Sequence, residues 1–282
     1  MAVKRSDILL FVSYRPDSKV KGEVYLNIPL SGGKVDVNGH VDFLGNNLDV
    51  LPTAMNLQQV SGRLVFQNEK LRSNGLKARW RNLPLTVKLA TSAEPQSYQI
   101  NLDLAGRWPV ADMERALALP FGEYAEGSLD WQGDLAIQLN PDGLFDYQGD
   151  IRSELLGLGL KMPAPMDKSA QQSWPSLLSV SGDQLSASIN LESNKIISLN
   201  GLVDFSQGQK RLKYALLNLG ENNPLRWQGQ GLAMSFDFAE LDIMPWLKWA
   251  KAQTSETIET PESEYSNVSL VVPELLFVRG TV

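Results

Sequence analysis

The 282-residue sequence contains no cysteine and a single histidine, His40. Without cysteine there are no disulfides, no thiolate nucleophile and no zinc-thiolate site, which suits either the cytoplasm or a bacterial periplasm. One histidine leaves no histidine-based metal cluster and no Ser-His-Asp relay. Basic charge is also short: 26 Lys and Arg stand against 32 Asp and Glu, a net charge of −6. No dense basic stripe exists, so a nucleic-acid surface is excluded. Long apolar runs are missing too. Near the N-terminus, Ile8 to Val12 is too short for a signal-peptide core or a membrane span. There is no phosphate loop, and Gly157 and Gly159 in LGLGLKM lack the third glycine of a dinucleotide fingerprint. Asp134 and Asp150 could meet across a hairpin as a glycosidase pair, but carboxylates on polar strand faces are ordinarily solvated. No enzyme activity, cofactor or metal is expected.

What the chain has is alternation. In KVDVNGHVDF, Val35, Val37, Gly39, Val41 and Phe43 share one side of an extended strand, and Lys34, Asp36, Asn38, His40 and Asp42 share the other. His40 therefore reads as a solvated side chain. The pattern apolar-x-Gly-x-apolar recurs at Gly39, Gly62, Gly106, Gly133, Gly149 and Gly201. Each glycine lies on its strand's apolar side, where missing bulk lets a sheet curl towards that side. With 43% hydrophobic and 21% charged residues the chain has the composition of a folded protein. The expected fold is mainly β: a long, strongly curved antiparallel sheet forming an open apolar groove, with one or two short helices.

Val20 to Leu30 and the following strand make a hairpin across SGG at 31–33, and Gly45-Asn46-Asn47 is expected to be a second turn. Leu57 to Phe66, Leu71 to Trp80, Leu83 to Leu89 and Tyr98 to Trp108 continue a meander. A short helical stripe (Val110, Met113, Leu117) follows Pro109. Leu129 to Leu139 and Phe145 to Ser153 flank the turn Asn140-Pro141-Asp142-Gly143. The expected organisation is a first β-groove segment over 1–160, a proline-containing loop at 161–176, and a second β-groove segment over 177–253 with a helix at 245–252. An acidic linker covers 254–264, and a truncated strand pair begins at 265–282. Trp108, Trp131 and Trp227 sit two residues from Gly106, Gly133 and Gly229, the last in a partial copy of the motif, and cover neighbouring glycines or line a groove. Trp246 and Trp249 dock a helix or touch a membrane.

Several strings in succession resemble one family: VDVNGHVDFLGNNLDVLP (35–52), LQQVSGRLVFQNEKLRSNGLKARWRNLPLTVKL (57–89), YQINLDLAGRW (98–108), GSLDWQGDLAI (127–137) and KMPAPMDKSA (161–170). They are similar to the YhdP branch of the AsmA-like proteins of Gram-negative bacteria. That resemblance implies an inner-membrane anchor and a long periplasmic repeating β-groove that conducts phospholipid towards the outer membrane, with this chain an internal piece. It implies phospholipid acyl chains as the partner, and the two membranes as partners of parts absent here. A monomer is expected. No chemistry is assigned to MPAPMDK, for which a structural role is expected.

The apolar faces nominate Val35, Val37, Val41, Phe43, Leu64, Phe66, Leu85, Val87, Ile100, Leu102, Leu104, Leu135, Ile137, Ile189, Leu199 and Val203 as lipid-groove residues. Burying one methylene is worth about 0.8 kcal/mol, so moving a sixteen-carbon chain through water costs about 13 kcal/mol. An apolar groove removes most of that. The alternative is a non-catalytic β-sandwich or spacer module, whose apolar faces would be sealed against each other.

Overall fold

The computed structural model describes residues 12–14, 20–50, 55–94, 97–117, 122–206, 211–220, 231–238, 242, 244–246 and 275–277. Strands follow the alternating stretches: β1 (Val12–Tyr14), β2 (Val20–Asn27), β3 (Asp36–Val50), β4 (Met55–Gln67), β5 (Lys70–Trp80), β6 (Leu83–Glu94) and β7 (Ser97–Pro109). A helix, α1 (Val110–Leu117), comes next, starting directly after Pro109. Then follow β8 (Ala125–Leu139), β9 (Phe145–Ser153), β10 (Leu158–Leu160), β11 (Ser176–Asp183), β12 (Ser186–Ser193), β13 (Ile197–Asp204), β14 (Arg211–Gly220), β15 (Gly231–Asp237) and β16 (Leu275–Phe277). Among the described residues these form one 16-stranded sheet in the order β1-β3-β4-β5-β6-β7-β8-β9-β11-β12-β13-β14-β15-β16. β2 lies beside β3, and β10 beside β8. The sheet is open rather than closed into a barrel.

Short polar turns keep consecutive strands adjacent, so pairing is antiparallel from β2–β3 to β6–β7 and from β11–β12 to β13–β14. β15 and β16 depart from the antiparallel expectation by joining in parallel. A parallel neighbour needs a longer connection than a hairpin, and residues 221–230 link β14 to β15. Met244, Pro245 and Trp246 are helical. The remainder of the helix expected at 245–252 lies outside the described residues, as do the linker at 254–264 and Trp227.

Contacts divide the chain into two units: Met1–Leu119 with Leu129–Gly149, and Pro120–Ser128 with Asp150–Val282. In unit 1, β3 does not turn at Gly45-Asn46-Asn47. It runs on to Val50 through register shifts at Leu44/Asn46 and Asn46/Leu48. Asn46 is buried, and its Oδ1 accepts the Leu44 N–H at 2.7 Å, which holds the bulge inside the strand. Matching shifts fall at Gln58/Ser61 and Ser61/Val65 in β4 and at Ser73/Leu76 in β5. Buried Ser73 donates to the Arg63 carbonyl at 2.6 Å there. Each bulge resets the alternation. Apolar positions pass from Val41 and Phe43 to Leu48 in β3, and from Leu71 to Leu76, Ala78 and Trp80 in β5. Beyond the bulges Leu48, Val60 and Ala78 form a buried cluster with Phe43, Leu57 and Leu76 against it.

The turn between β4 and β5 is pinned from β7. Buried Tyr98 donates its hydroxyl proton to the Glu69 carbonyl at 2.7 Å. Thr91 Oγ1, 2.7 Å from the Tyr98 oxygen, accepts the Leu71 N–H at 2.8 Å. Burial raises the Tyr98 pKa above its ordinary value.

Unit 2 has its own core. Met166, Trp174 and Leu219 are buried, packed round by Leu155, Leu160, Met162, Ile196, Ile197, Leu217, Phe238 and Trp246. β14 is also apolar on both sides, with Ala215 and Leu216 buried back to back.

Candidate functional site

Residues opposite each other in an antiparallel pair share a face. In unit 1 the register sets Gly39 opposite Phe66, Val41 opposite Leu64 and Phe43 opposite Gly62. It sets Leu76 opposite Val87 and Ala78 opposite Leu85. Next, Val87 faces Leu104, Leu89 faces Leu102 and Thr91 faces Ile100. The apolar positions of β3 to β7 thus meet on one surface. Val35, Val37, Val41, Phe43, Leu64, Phe66, Leu85, Val87, Ile100, Leu102, Leu104, Leu135 and Ile137 are all partly exposed, and none is buried. Intervening Asp36, Asn38, Lys88, Asn101 and Asp103 are exposed on the other side. That side carries cross-strand ion pairs: Arg63 donates to Asp42 through two hydrogen bonds of 2.6 and 2.8 Å, and Arg107 lies 3.5 Å from Asp130. His40 Nε2 stands 3.7 Å from Asp42. The Arg63 fork holds the Asp42 carboxyl below the usual carboxylate range.

The space freed by the motif glycines is taken by neighbours. A Cβ on Gly39 would lie 2.5 Å from Phe66 Cζ and 2.2 Å from the Glu23 carbonyl oxygen. One on Gly106 would lie 2.8 Å from both the Trp108 and the Trp131 indole nitrogens, and one on Gly149 would lie 3.1 Å from Leu135. Gly62 sits in a bulge at φ +131°, where a Cβ would come within 2.8 Å of the Gly75 carbonyl. Gly201 is different. Its nearest neighbours would be the Tyr214 carbonyl at 3.4 Å and Ala215 at 3.9 Å. Gly133 is partly buried.

At one end of these strands the same face carries a tryptophan row. The Trp80 and Trp108 rings are 6.2 Å apart, and Trp108 meets Trp131 edge-on at 4.8 Å. Trp108 Nε1 donates to the Pro84 carbonyl at 2.8 Å, and the buried Trp131 Nε1 has no partner among the described residues. Leu83, opposite Trp80, is fully buried. In this row Trp108 covers Gly106, two residues away in β7, and Trp131 reaches the same glycine from β8.

In unit 2, Ile189 faces Gly201, Leu199 faces Leu191 and Leu217, Val203 faces Ala187, and Ile197 faces Leu219. Ile189 and Leu199 are partly exposed and Val203 is buried. Ile197, Leu217 and Leu219 lie on the face of Leu199, and Met166 and Trp174 from the 161–176 loop pack upon them. The loop is held from within. Lys168, buried, donates from Nζ to the carbonyls of Leu155 at 2.7 Å, Leu158 at 2.6 Å and Ser169 at 3.0 Å. Burial lowers its pKa, while three acceptors satisfy the ammonium's three protons. Trp246 Nε1 adds a bond to the Ala164 carbonyl at 3.0 Å. Sequence reasoning singled out MPAPMDK without a mechanism; the signal was a lysine amid Met, Pro and Trp.

No group of His, Asp or Glu that could hold a metal ion occurs among the described residues. Asp150 binds Arg152 and Ser179 at 2.6 Å each. Among the described residues no helix is long and apolar enough to cross a membrane.

A family model described as YhdP protein matches residues 9–279. The chain belongs to the YhdP family. Over 154 residues it is 31% identical to the intermembrane phospholipid transporter YhdP of Escherichia coli (strain K12), a stretch covering 55% of this chain and 12% of that protein. The chain thus matches only a small part of its relative's length. No solved structure matches it.

Proposed function

We propose that this chain is a segment of a lipid-transfer protein, shielding phospholipid acyl chains on an apolar sheet face while headgroups stay in water. The observation that carries the reading is the unit 1 face: thirteen aligned candidate side chains, none of them buried. A sealed sandwich would bury such residues, and burial is what stabilises it. Acyl chains laid there lose contact with water, at about 0.8 kcal/mol per methylene. Ile189 and Leu199, partly exposed, serve likewise in unit 2, and buried Val203 supports the sheet beside them. Close strand approach at Gly39, Gly62, Gly106 and Gly149, with the bulges of β3 to β5, bends the sheet towards this side; Gly133 and Gly201 are assigned the same part. The role is non-catalytic. The relative's description as an intermembrane transporter supports a periplasmic setting, with movement of phospholipid between inner and outer membranes and maintenance of the outer membrane. An inner-membrane anchor and both membrane contacts then belong to other parts of the protein. The segment works as a monomer, with no cofactor.

Photoreactive residues at Phe43, Leu64, Leu102 and Ile137 in cells should capture phospholipid, and the same residue at Lys88 or Asp103 should not. Equal capture on both sides, or none with the fold intact, would refute the proposal.

A further inference from the structure

Among the described residues four arginines are tied to carboxylates: Arg63 to Asp42, Arg107 to Asp130, Arg115 to Asp112 and Arg152 to Asp150. Arg79 and Arg81, which flank Trp80, have no carboxylate among those residues, nor does Arg72 further along β5. Arg79 Nη2 donates to the Asn82 carbonyl at 2.6 Å, and Arg81 Nη1 donates to the Ala116 carbonyl of α1 at 2.9 Å. The Arg81 guanidinium lies 5.3 Å from the centre of the Trp80 ring. A guanidinium has five N–H donors, so one carbonyl apiece leaves most of them unused. Arg81 is exposed, and both turn residues, Arg81 and Asn82, have positive φ, 49° and 67°. Arg79 alternates with Ala78 and Trp80 and so leaves β5 on the polar side, but its bond to the Asn82 carbonyl draws it round to the β5–β6 turn, where Arg81 itself sits, at the end of the strands where Trp80, Trp108 and Trp131 line the apolar face.

We propose that Arg79 and Arg81 bind a phosphate group, that of a phospholipid whose chains lie on the unit 1 apolar face. The proposal rests on the lipid reading above and adds a headgroup contact to it. A planar guanidinium fork matches two phosphate oxygens, and stacking with a carbonyl tether fixes its direction in advance. The indoles beneath suit the boundary between acyl chain and water. Leu85, opposite Ala78, stands two pairs further from the turn than Leu83, opposite Trp80. The apolar surface therefore begins beside the charge. A purely structural role, Arg81 capping the C-terminal end of α1, uses a single N–H. It leaves unexplained why two guanidinium groups without a carboxylate among the described residues meet at one turn beside the tryptophan row.

The test places a photoreactive residue at Leu104 in the full-length protein in cells, with and without Arg79→Gln plus Arg81→Gln, and counts captured phospholipid and diacylglycerol by mass spectrometry. Phospholipid capture should fall about tenfold while diacylglycerol capture is unchanged, and Arg79→Lys plus Arg81→Lys should recover part of the loss. Equal capture ratios in the Gln variant and the unchanged protein, with matching near-UV circular dichroism, would overturn the site and leave the lipid reading standing. Capture of neither lipid by the unchanged protein would overturn both. Soluble inorganic phosphate and glycerol phosphate separate the two sources of the anion: weak binding relative to the diacyl lipid supports a headgroup site, and equal binding refutes it.

Discussion

The apolar faces of the two units are finished differently. In unit 1 the face stays partly exposed from β3 to β8, with burial concentrated at the Leu48, Val60 and Ala78 cluster and at Leu83. In unit 2 part of the equivalent face lies under the chain's own loop, where Met166 is 2% and Trp174 6% exposed. Alternating strands alone leave one apolar side open; it is covered only where a connection long and apolar enough folds back. The tight turns of unit 1, such as Asn68-Glu69, are too short to do this. The 161–176 loop is long enough, and Lys168 makes its interior polar groups affordable by meeting three carbonyls at once.

This contrast can be broken most forcefully at Trp174. Trp174→Ala should cost about 3–5 kcal/mol in urea unfolding. Leu102→Ala, on the open face of unit 1, should cost about 1 kcal/mol, because the leucine already touches solvent. Equal losses would mean that the unit 1 face is as well covered as that of unit 2. The glycines sharpen the comparison at a smaller scale. Gly39→Ala forces a carbon against the Glu23 carbonyl and should destabilise by about 2 kcal/mol. Gly201→Ala finds ordinary contact distances and should be neutral or stabilise by up to about 1 kcal/mol through the unfolded chain. Opposite signs in thermal melts are the expected result, and two losses would show that unit 2 also needs a bare backbone there.

The smallest effect is that of acid. Arg63 depresses the Asp42 carboxyl in unit 1, and Ser206 with Lys213 depresses that of Asp204 in unit 2. A carboxylate depressed on folding adds stability above its unfolded pKa, about 3.9, and loses it as pH falls through the lower folded value. Asp42→Asn should therefore reduce stability at pH 7 and make progressively less difference below pH 4, as should Asp204→Asn. Both sites are solvent-screened, so the changes will be slight.

Much of the architecture was legible before any coordinates. Strict period-two alternation in Val35 to Phe43 and Tyr98 to Trp108 specifies strands with one apolar face, and Asn140-Pro141-Asp142-Gly143 and Arg81-Asn82 specify turns, because each depends on neighbours in the chain. The family was legible too, from strings spread over residues 35 to 170. Gly45-Asn46-Asn47 suits a turn and a bulge equally well, and the structure makes it a bulge. The difference lies in whether β4 continues to pair beyond Asn46, and a neighbouring strand decides that. The parallel joining of β15 escaped for the same reason. Trp108 over Gly106 follows from their two-residue spacing, but Trp131 over Gly106 requires the pairing of β8 with β7, and Phe66 over Gly39 the register of β4 against β3. Arg79 and Arg81 carry no signal at all, since what distinguishes them is the carbonyls of Asn82 and Ala116 and the Trp80 ring that they meet in space.

By itself, then, the sequence determined that this chain forms strands with apolar and polar sides, has no thiol and a single histidine, and belongs with the YhdP family. Those properties are local or compositional. Tertiary structure alone decided which apolar positions remain open and which are roofed by Met166 and Trp174, and which side chain fills each glycine's space. It also decided that the guanidinium groups of Arg79 and Arg81, each tied to a carbonyl, meet at the turn beside Trp80. Exposure and pairing are properties of surfaces brought together from distant parts of the chain, and alternation along a strand says only that a face exists.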